Sequence, residues 1–243
     1  MADHEPLIAK GKKLLIQAAL RLAVHTRSIR ALGVRELGRE AGLNPNTFYR
    51  HFKGMDDLGL ALIESVVAEL RQPLRDMRRT VAQSLAPIHS GEEDEFALNL
   101  KRTRAAKKET IKLFFDFVEA NPEAFIIGLS ELNGSSPRLR EALREAIAGF
   151  AADMAEDFRL LGLTPVLDDE SVQQVSTIII RNMFYMTTEY IERPERRAAL
   201  LEAADKLVRT LLIGALARRV SDPPRLLQIV AVLGVDAAPQ DAR

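Results

Sequence analysis

A short stretch near the N-terminus concentrates the side chains of this chain that are best suited to binding a polyanion. Within residues 34–52, Gly42 is followed by Asn44 and Pro45 and then by a run of polar and basic residues. Gly42 permits the positive φ of a tight turn. Asn44 followed by Pro45 is a strong start signal for a helix. The first turn of that helix, predicted over residues 45–50, would present donors and acceptors that fit base edges in a DNA major groove.

The predicted DNA interface combines base-reading and phosphate-binding side chains. The short side chains of Asn46 and Thr47 suit base edges, whereas the longer donors that follow suit phosphate oxygens. Phe48 and Phe52 are predicted core residues. The full predicted set is Arg35, Asn44, Pro45, Asn46, Thr47, Tyr49, Arg50, His51 and Lys53. The alternative is a generic helical hairpin in which His51 is a surface residue without a role.

The charge of the chain is unevenly distributed. Residues 1–55 contain ten basic and four acidic residues, a net charge of +6, whereas residues 56–243 contain 24 basic and 30 acidic residues, a net charge of −6. The total of zero therefore conceals a basic N-terminal quarter. Such a concentration of positive charge indicates a nucleic-acid-binding module.

Helical periodicity predicts the elements that position these side chains. Apolar residues recur at spacings of three and four over residues 8–26, which predicts a first helix. Two short helices, over residues 34–40 and 45–50, would pack against it. No segment with a period of two is bounded like a strand, so the predicted fold class is all-α, with a three-helix N-terminal helix-turn-helix domain.

The rest of the chain reads as a larger helical domain. A long helix is predicted from Asp56 towards Val81, with Pro73 as a kink or an early end. Ala86–Lys108 is predicted to be a loop or a loosely held helix. Later helices are predicted over residues 109–120, 122–132, 137–161, 169–192 and 194–220. The predicted domains are a helix-turn-helix domain (1–55), a ligand-binding and dimerisation domain (56–221), and a tail or short docked helix (222–243).

Other classes of protein lack support in the sequence. The chain has no cysteine, and its four histidines all lie in the first 89 residues without ligand spacing. No nucleophile elbow or paired-carboxylate arrangement is present. We therefore expect no enzyme activity, no metal and no cofactor. The longest apolar runs are too short to span a membrane, and the first residues are acidic, without a basic region of the secretory type. These features predict a soluble cytoplasmic protein without membrane contact.

The stretch that ends in Phe48-Tyr49-Arg50-His51-Phe52 resembles the DNA-binding domain of TetR-family transcriptional regulators. Within that family, Met55–Leu60, Ala120–Phe125 and Glu131–Ser135 resemble the FabR and DesT group. Those proteins repress unsaturated-fatty-acid synthesis or fatty-acid desaturation and sense long-chain acyl-CoA. The resemblance implies a homodimeric repressor that binds a palindromic double-stranded operator and a hydrophobic effector such as a fatty acid or acyl-CoA.

The resemblance also implies an effector pocket and a dimer interface in the helical body. The predicted pocket residues are Phe114, Phe117, Phe125, Phe150, Met154 and Phe184. The predicted interface, from the last two long helices, comprises Val175, Ile178, Leu207, Leu211 and Ala215. The same apolar periodicity is consistent with plain internal packing at both sets of positions.

Two alternatives remain open for the function. One is a TetR-like regulator of another hydrophobic molecule, acting in drug efflux or catabolism. The other is a helix-turn-helix regulator without a small-molecule sensor, for which we expect a fully packed body without a sizeable cavity.

Overall fold

The computed structural model describes residues 4–84, 95–160, 162 and 166–234 of the chain. The regular elements in these residues are all helical, which confirms the predicted all-α fold with an N-terminal helix-turn-helix domain and a larger helical domain. In chain order the helices are α1 (His4–Thr26), α2 (Val34–Glu40), α3 (Asn46–His51), α4 (Met55–Ser84), α5 (Glu95–Ala120), α6 (Pro122–Glu131), α7 (Pro137–Leu160), α8 (Asp169–Glu192), α9 (Arg197–Ala217) and α10 (Pro223–Gly234).

The N-terminal compact unit comprises the described residues up to Leu70 together with Val118–Ile147. Its centre is α1, against which α2, α3 and α6 all pack. The buried face of α1 is lined largely by small side chains, so the partner helices can approach its backbone closely. The fully buried residues of this face are Leu15, Ala18, Ala19 and Ala23. Leu37 from α2, Phe48 from α3 and Ile127 from α6 complete the same core.

The turn between α2 and α3 depends on two glycines. Gly42 has a φ of +66°, the left-handed conformation that other residues adopt only with strain. Gly38 has no room for a side chain, because a Cβ there would lie 3.0 Å from the carbonyl oxygen of Leu43 and 3.1 Å from Cα of Pro45. The close approach of the turn to α2 therefore occurs at Gly38, whereas Ala41, the small residue just after α2, is only half-buried.

A buried carboxylate ties α6 to the segment that leads into α2. Glu131, the last residue of α6, is 2% exposed. Its Oε1 accepts hydrogen bonds from the backbone N–H of Ile29 at 2.8 Å and from the hydroxyl of Ser28 at 3.0 Å. Gly134 is required beside it, because a Cβ at that position would collide with the carboxylate of Glu131.

The second compact unit comprises Arg71–Phe117 and the described residues from Ala148 onwards. In it, the last turns of α4 are joined to α7 by a ladder of ion pairs. The arginines are Arg71, Arg75 and Arg78, and the carboxylates are Asp153, Glu156 and Asp157.

The ion pair between Arg78 and Asp157 is fully buried. The guanidinium of Arg78 donates to Oδ2 of Asp157 from Nε at 2.9 Å and from a terminal nitrogen at 2.7 Å. The two side chains are 3% and 1% exposed. Burial lowers the pKa of Arg78, and the charge of Asp157 opposes that effect. Arg75 lies at the other oxygen of Asp157, at 3.3 Å, as a charge contact rather than a hydrogen bond.

Two helical predictions require correction. Helix α4 does not end at Pro73 but continues to Ser84. Helix α5 begins at Glu95 rather than at residue 109, so of the two predicted alternatives, a loop or a loosely held helix, residues 95–108 are helical. Residues 86–94 of that segment lie outside the described residues. In the C-terminal segment, α10 packs against α9 and buries Ile229 and Leu233. The predicted domain boundaries themselves stay predictions.

Candidate DNA interface, effector region and dimer face

Helix α3 is anchored by two aromatic side chains and capped at its start. Phe48 and Phe52 are 1% and 3% exposed, which confirms that they belong to the core. Oδ1 of Asn44 accepts a hydrogen bond from the backbone N–H of Asn46 at 2.9 Å, and Pro45 already has helical dihedrals. Asn44 and Pro45 therefore start α3 as the sequence predicts, and they fix the orientation of its first turn.

The predicted DNA-contacting residues divide into two groups by exposure. Pro45, Thr47 and His51 are half-buried, so their positions are constrained by packing. The exposed group is Arg35, Asn44, Asn46, Tyr49, Arg50 and Lys53. The ring of Tyr49 is 66% exposed and meets Phe48 edge-on at 5.3 Å, so its hydroxyl projects from a supported ring. The arrangement presents one polar surface on the outer side of α3.

His51 packs directly over α1. A Cβ at Gly11 would lie 2.9 Å from Nε2 of His51, so the absence of a side chain at Gly11 makes room for the imidazole. Burial, followed by the nearby charges of Lys12 and Arg50, lowers the pKa of His51 below its usual value. The imidazole is therefore held against two cations, where a negatively charged partner would stabilise its protonated form.

The positive charge of the N-terminal unit is only partly neutralised by its own acids. Arg21 pairs with Glu40 at 2.6 Å, and Arg30 lies 3.7 Å from Asp56. The remaining cations around α3 form no ion pair with any residue that the structure describes. They are Lys12, Lys13, Arg35, Arg39, Arg50 and Lys53. Exposed cations without an ion-pair partner are suited to binding the phosphate oxygens of a DNA duplex.

Three of the six predicted effector residues contact one another. Phe184 on α8 contacts Phe114 on α5, with ring centroids 5.3 Å apart, and Phe150 on α7, at 5.7 Å. These three rings form an aromatic cluster in the second unit. Phe117, half-buried, lies one turn beyond Phe114 on α5. Phe125 is buried in α6, which belongs to the N-terminal unit.

Beside the aromatic cluster lies a small cavity that includes Met154, another predicted effector residue. Its volume is about 10 Å³, the space of about one water molecule. It is lined by Lys107, Thr110, Ile111, Met154, Phe158, Ile179, Met183 and Val208. The polar members, Lys107 and Thr110, were not among the residues predicted from the sequence. Because both lie in the polar run of residues 107–110, hydrophobic periodicity gave no signal that they are buried.

Helices α8 and α9 carry an apolar face that the described residues of the chain cover only in part. Among the predicted interface residues, Ile178, Leu207, Leu211 and Ala215 are half-buried. Val175 is 7% exposed, so the single chain already buries it. Tyr185, two turns from Ile178 on α8, is 83% exposed and was missed by the sequence prediction. Adjacent apolar side chains left this exposed are typical of an interaction surface.

None of the helices in the described residues combines the length and apolarity needed to cross a bilayer.

Comparison with known proteins agrees with this architecture. Residues 15–62 match bacterial regulatory proteins of the tetR family. Three solved structures share the fold over most of the chain. The fatty acid degradation regulator FadR from Bacillus halodurans is 16% identical, with a TM-score of 0.58, over 83% of this chain and 94% of that one. FadR from Bacillus subtilis, solved with stearoyl-CoA, is 16% identical, with a TM-score of 0.57, over 83% and 98%.

The third structure is a transcriptional regulator from Rhodococcus sp. Rha1 that is 15% identical, with a TM-score of 0.56, over 85% of this chain and 96% of that one. At these identities the structures establish the fold, whereas the match over residues 15–62 concerns the sequence of the helix-turn-helix itself. Residues 15–62 of this chain therefore match the tetR family of bacterial regulatory proteins, and the chain as a whole shares the fold of these solved structures.

Proposed function

We propose that the chain is a ligand-responsive repressor that binds a palindromic operator as a homodimer and responds to a fatty acid or acyl-CoA. The observation that carries the proposal is the exposed polar surface of α3, supported by buried Phe48 and Phe52 and surrounded by unpaired cations. A helix anchored in this way enters a major groove with its side chains in a fixed orientation. The matched tetR family consists of bacterial regulatory proteins.

The DNA-binding part is tested by selecting duplexes from a random pool with the purified chain. We expect enrichment of an inverted repeat whose half-sites are separated by about 34 Å or a multiple of that distance. Asn46→Ala should relax the base preference at one position of each half-site, because Asn46 lies in the first turn of α3. Lys112→Ala, at an exposed cation of α5, is the control and should leave the selected sequence unchanged. Enrichment of no sequence, or the same effect from both variants, would contradict the proposal.

The dimer is supported by the half-buried apolar residues of α9. Leu207, Leu211 and Ala215 recur every four residues, next to a separate stripe that the single chain buries. Leu211→Glu would put a charge in the middle of this face. Sedimentation velocity should give a dimer for the wild-type chain and a monomer for Leu211→Glu, with Lys112→Glu as the matched surface control. A wild-type chain that is monomeric at micromolar concentration would refute the dimer.

The effector class is supported by the aromatic cluster of Phe114, Phe150 and Phe184 and by the fatty-acid regulators among similar structures. An effector changes DNA binding only if it has unequal affinity for the binding and non-binding states. We expect palmitoyl-CoA or palmitate to release the selected operator in a fluorescence anisotropy titration. A reporter gene behind that operator should be repressed by the chain and derepressed when the acyl effector is supplied.

One observation favours a second candidate, a TetR-like regulator without a small-molecule sensor. The cavity beside Lys107 and Met154 has only about 10 Å³, far less than an acyl chain occupies. In that case neither the melting temperature nor the operator affinity would change with any acyl compound. A response to an unrelated hydrophobic drug alone would instead indicate a regulator of drug efflux or catabolism.

A further inference from the structure

The buried stripe of α5 changes character along the helix. The second half of the stripe is apolar and ends in Phe114 and Val118. Before that point, and beside buried apolar residues such as Leu100 and Ala106, the stripe includes four polar side chains, none more than 8% exposed: Asn99, Thr103, Lys107 and Thr110. A helix face packed inside a protein is normally apolar, because each buried polar group needs a partner. The first half of α5 therefore has a chemistry that packing alone does not require.

The hydroxyl of Thr110 has no hydrogen-bond partner among the described residues, although it is buried. A threonine within a helix commonly donates to the carbonyl four residues earlier. In this chain Thr103 donates to the carbonyl of Asn99 and Thr177 to that of Gln173, each at 2.8 Å. Thr110 instead lines the cavity with an unused hydroxyl. Buried polar atoms without a partner are rare in native proteins, and a bound polar group would satisfy this one.

Lys107 lines the same cavity, and its environment is asymmetric. Its Nζ lies 2.6 Å from Oδ1 of Asp205 on α9. The side chain of Lys107 is 7% exposed, whereas that of Asp205 is 34% exposed. Asp205 can therefore return to water at little cost, while Lys107 would remain buried and need another anion. A buried ion pair contributes little net stability compared with apolar residues, so stability alone does not account for the lysine.

Three of the four helices that line the cavity also carry a ring of the aromatic cluster. On each of these three, a residue that lines the cavity lies next to the ring in sequence or about one turn away. The pairs are Ile111 and Phe114 on α5, Met154 and Phe150 on α7, and Met183 and Phe184 on α8. From Lys107 to Phe114 the helix rises ~10 Å. The interior of the second unit is therefore polar at Lys107 and Thr110 and becomes apolar along α5 towards Phe114.

We propose that Lys107 and Thr110 bind the anionic end of a long-chain acid, whose carboxylate replaces Asp205 at the lysine. The alkyl chain then runs along α5 towards Phe114, into space that Met154 and Met183 vacate. Unbranched methionine side chains repack readily, which suits a cavity that must widen on binding. The inference rests on the proposed function, because it assigns the anchor of the same effector. It also releases Asp205 and so breaks the contact between α5 and α9 when the acid binds.

Isothermal titration of the full-length chain with three amphiphiles tests this exchange. Palmitate carries a carboxylate at the end of its chain, hexadecanol carries no charge, and palmitoyl-CoA carries its negative charges beyond a neutral thioester. Asp205→Asn removes the competing anion and should strengthen palmitate binding about tenfold, the effect of one charge-assisted hydrogen bond, without changing hexadecanol binding. Lys107→Met should lower the affinity for palmitate to that for hexadecanol. Glu202→Gln, an exposed acid one turn away on α9, is the control.

The outcomes separate the inference from the proposed function. If all three amphiphiles bind but Asp205→Asn does not favour palmitate over hexadecanol, the anchor is refuted and the acyl effector stands. If Asp205→Asn strengthens palmitoyl-CoA binding but not palmitate binding, the anion at Lys107 is a phosphate and the carboxylate is refuted. If neither the wild-type chain nor Asp205→Asn binds any of the three, the inference and the acyl effector both fail. Asp205→Asn alone decides the first two cases if Lys107→Met does not fold.

Discussion

Removing the cation of Arg78 should destabilise the second unit strongly, because it leaves the carboxylate of Asp157 buried without its main partner. Arg78→Met keeps much of the aliphatic stem but loses both donors to Oδ2 of Asp157, at 2.9 and 2.7 Å. Breaking a buried ion pair by removing one partner costs about 3–5 kcal/mol. Arg75 remains 3.3 Å from the other oxygen, so we expect a loss near the lower end of that range.

The double variant Arg78→Met/Asp157→Leu provides the control for this reasoning. It removes both charges, and replacing a buried pair with apolar residues is often neutral or stabilising. We therefore expect the double variant to recover most of the stability, about 2–3 kcal/mol relative to Arg78→Met.

The assay is urea unfolding followed by circular dichroism, at one protein concentration because association would shift the midpoint. A loss below about 1 kcal/mol for Arg78→Met would show that water or Arg75 compensates the carboxylate fully. A double variant less stable than Arg78→Met would show that packing, rather than the unpaired charge, determines the effect. Either result would refute the account of the ladder as a buried electrostatic contact between α4 and α7.

Three further predictions concern the N-terminal unit. Gly11→Ala should displace the imidazole of His51 and so weaken operator binding. It should leave the free energy of unfolding unchanged, because the higher helix propensity of alanine contributes up to about 1 kcal/mol. The control is Gly149→Ala, which has open space at its Cβ and should gain stability without affecting binding. Gly33→Ser should create a capping box with Glu36 at the start of α2, which now lacks a side-chain cap, and raise stability by about 0.5 kcal/mol in thermal unfolding. Because the pKa of His51 is lowered in the folded chain, the unfolded chain binds a proton at this imidazole more readily, and the free energy of unfolding should fall as the pH drops below about 6.5. His51→Gln should make the stability less dependent on pH in this range. Operator DNA should reduce the loss of stability at low pH.

The elements of the helix-turn-helix could be predicted because their signals are local. Gly42, Asn44 and Pro45 act through their own backbone preferences, and the predicted bounds of α2 match the structure. The need for glycine at Gly38 could not be predicted in the same way. It arises because the backbone of Leu43 and Pro45 passes within van der Waals distance, which is a property of the folded turn.

The start of α5 was missed for a physical reason that also bears on function. Hydrophobic periodicity detects a buried helix face only when that face is apolar. Buried Asn99, Thr103 and Lys107 interrupt the apolar residues in the first turns of α5, so the pattern predicted no regular helix there. The partner of Lys107 is Asp205, almost a hundred positions further along the chain, and no spacing rule connects the two. Sequence reasoning likewise gave no indication that Glu131 bonds to Ile29 across the N-terminal unit.

The most direct test of the central claim is the salt dependence of operator affinity for the wild-type chain and two lysine variants. If the exposed cations around α3 bind phosphates, log affinity should fall linearly with log salt concentration. Lys53→Ala should then reduce the slope by about 2 for a dimer, one contact per subunit. Lys112→Ala, outside the basic unit, should leave the slope unchanged. A slope that Lys53→Ala leaves unaltered, or that Lys112→Ala reduces equally, would contradict DNA recognition by the α3 surface.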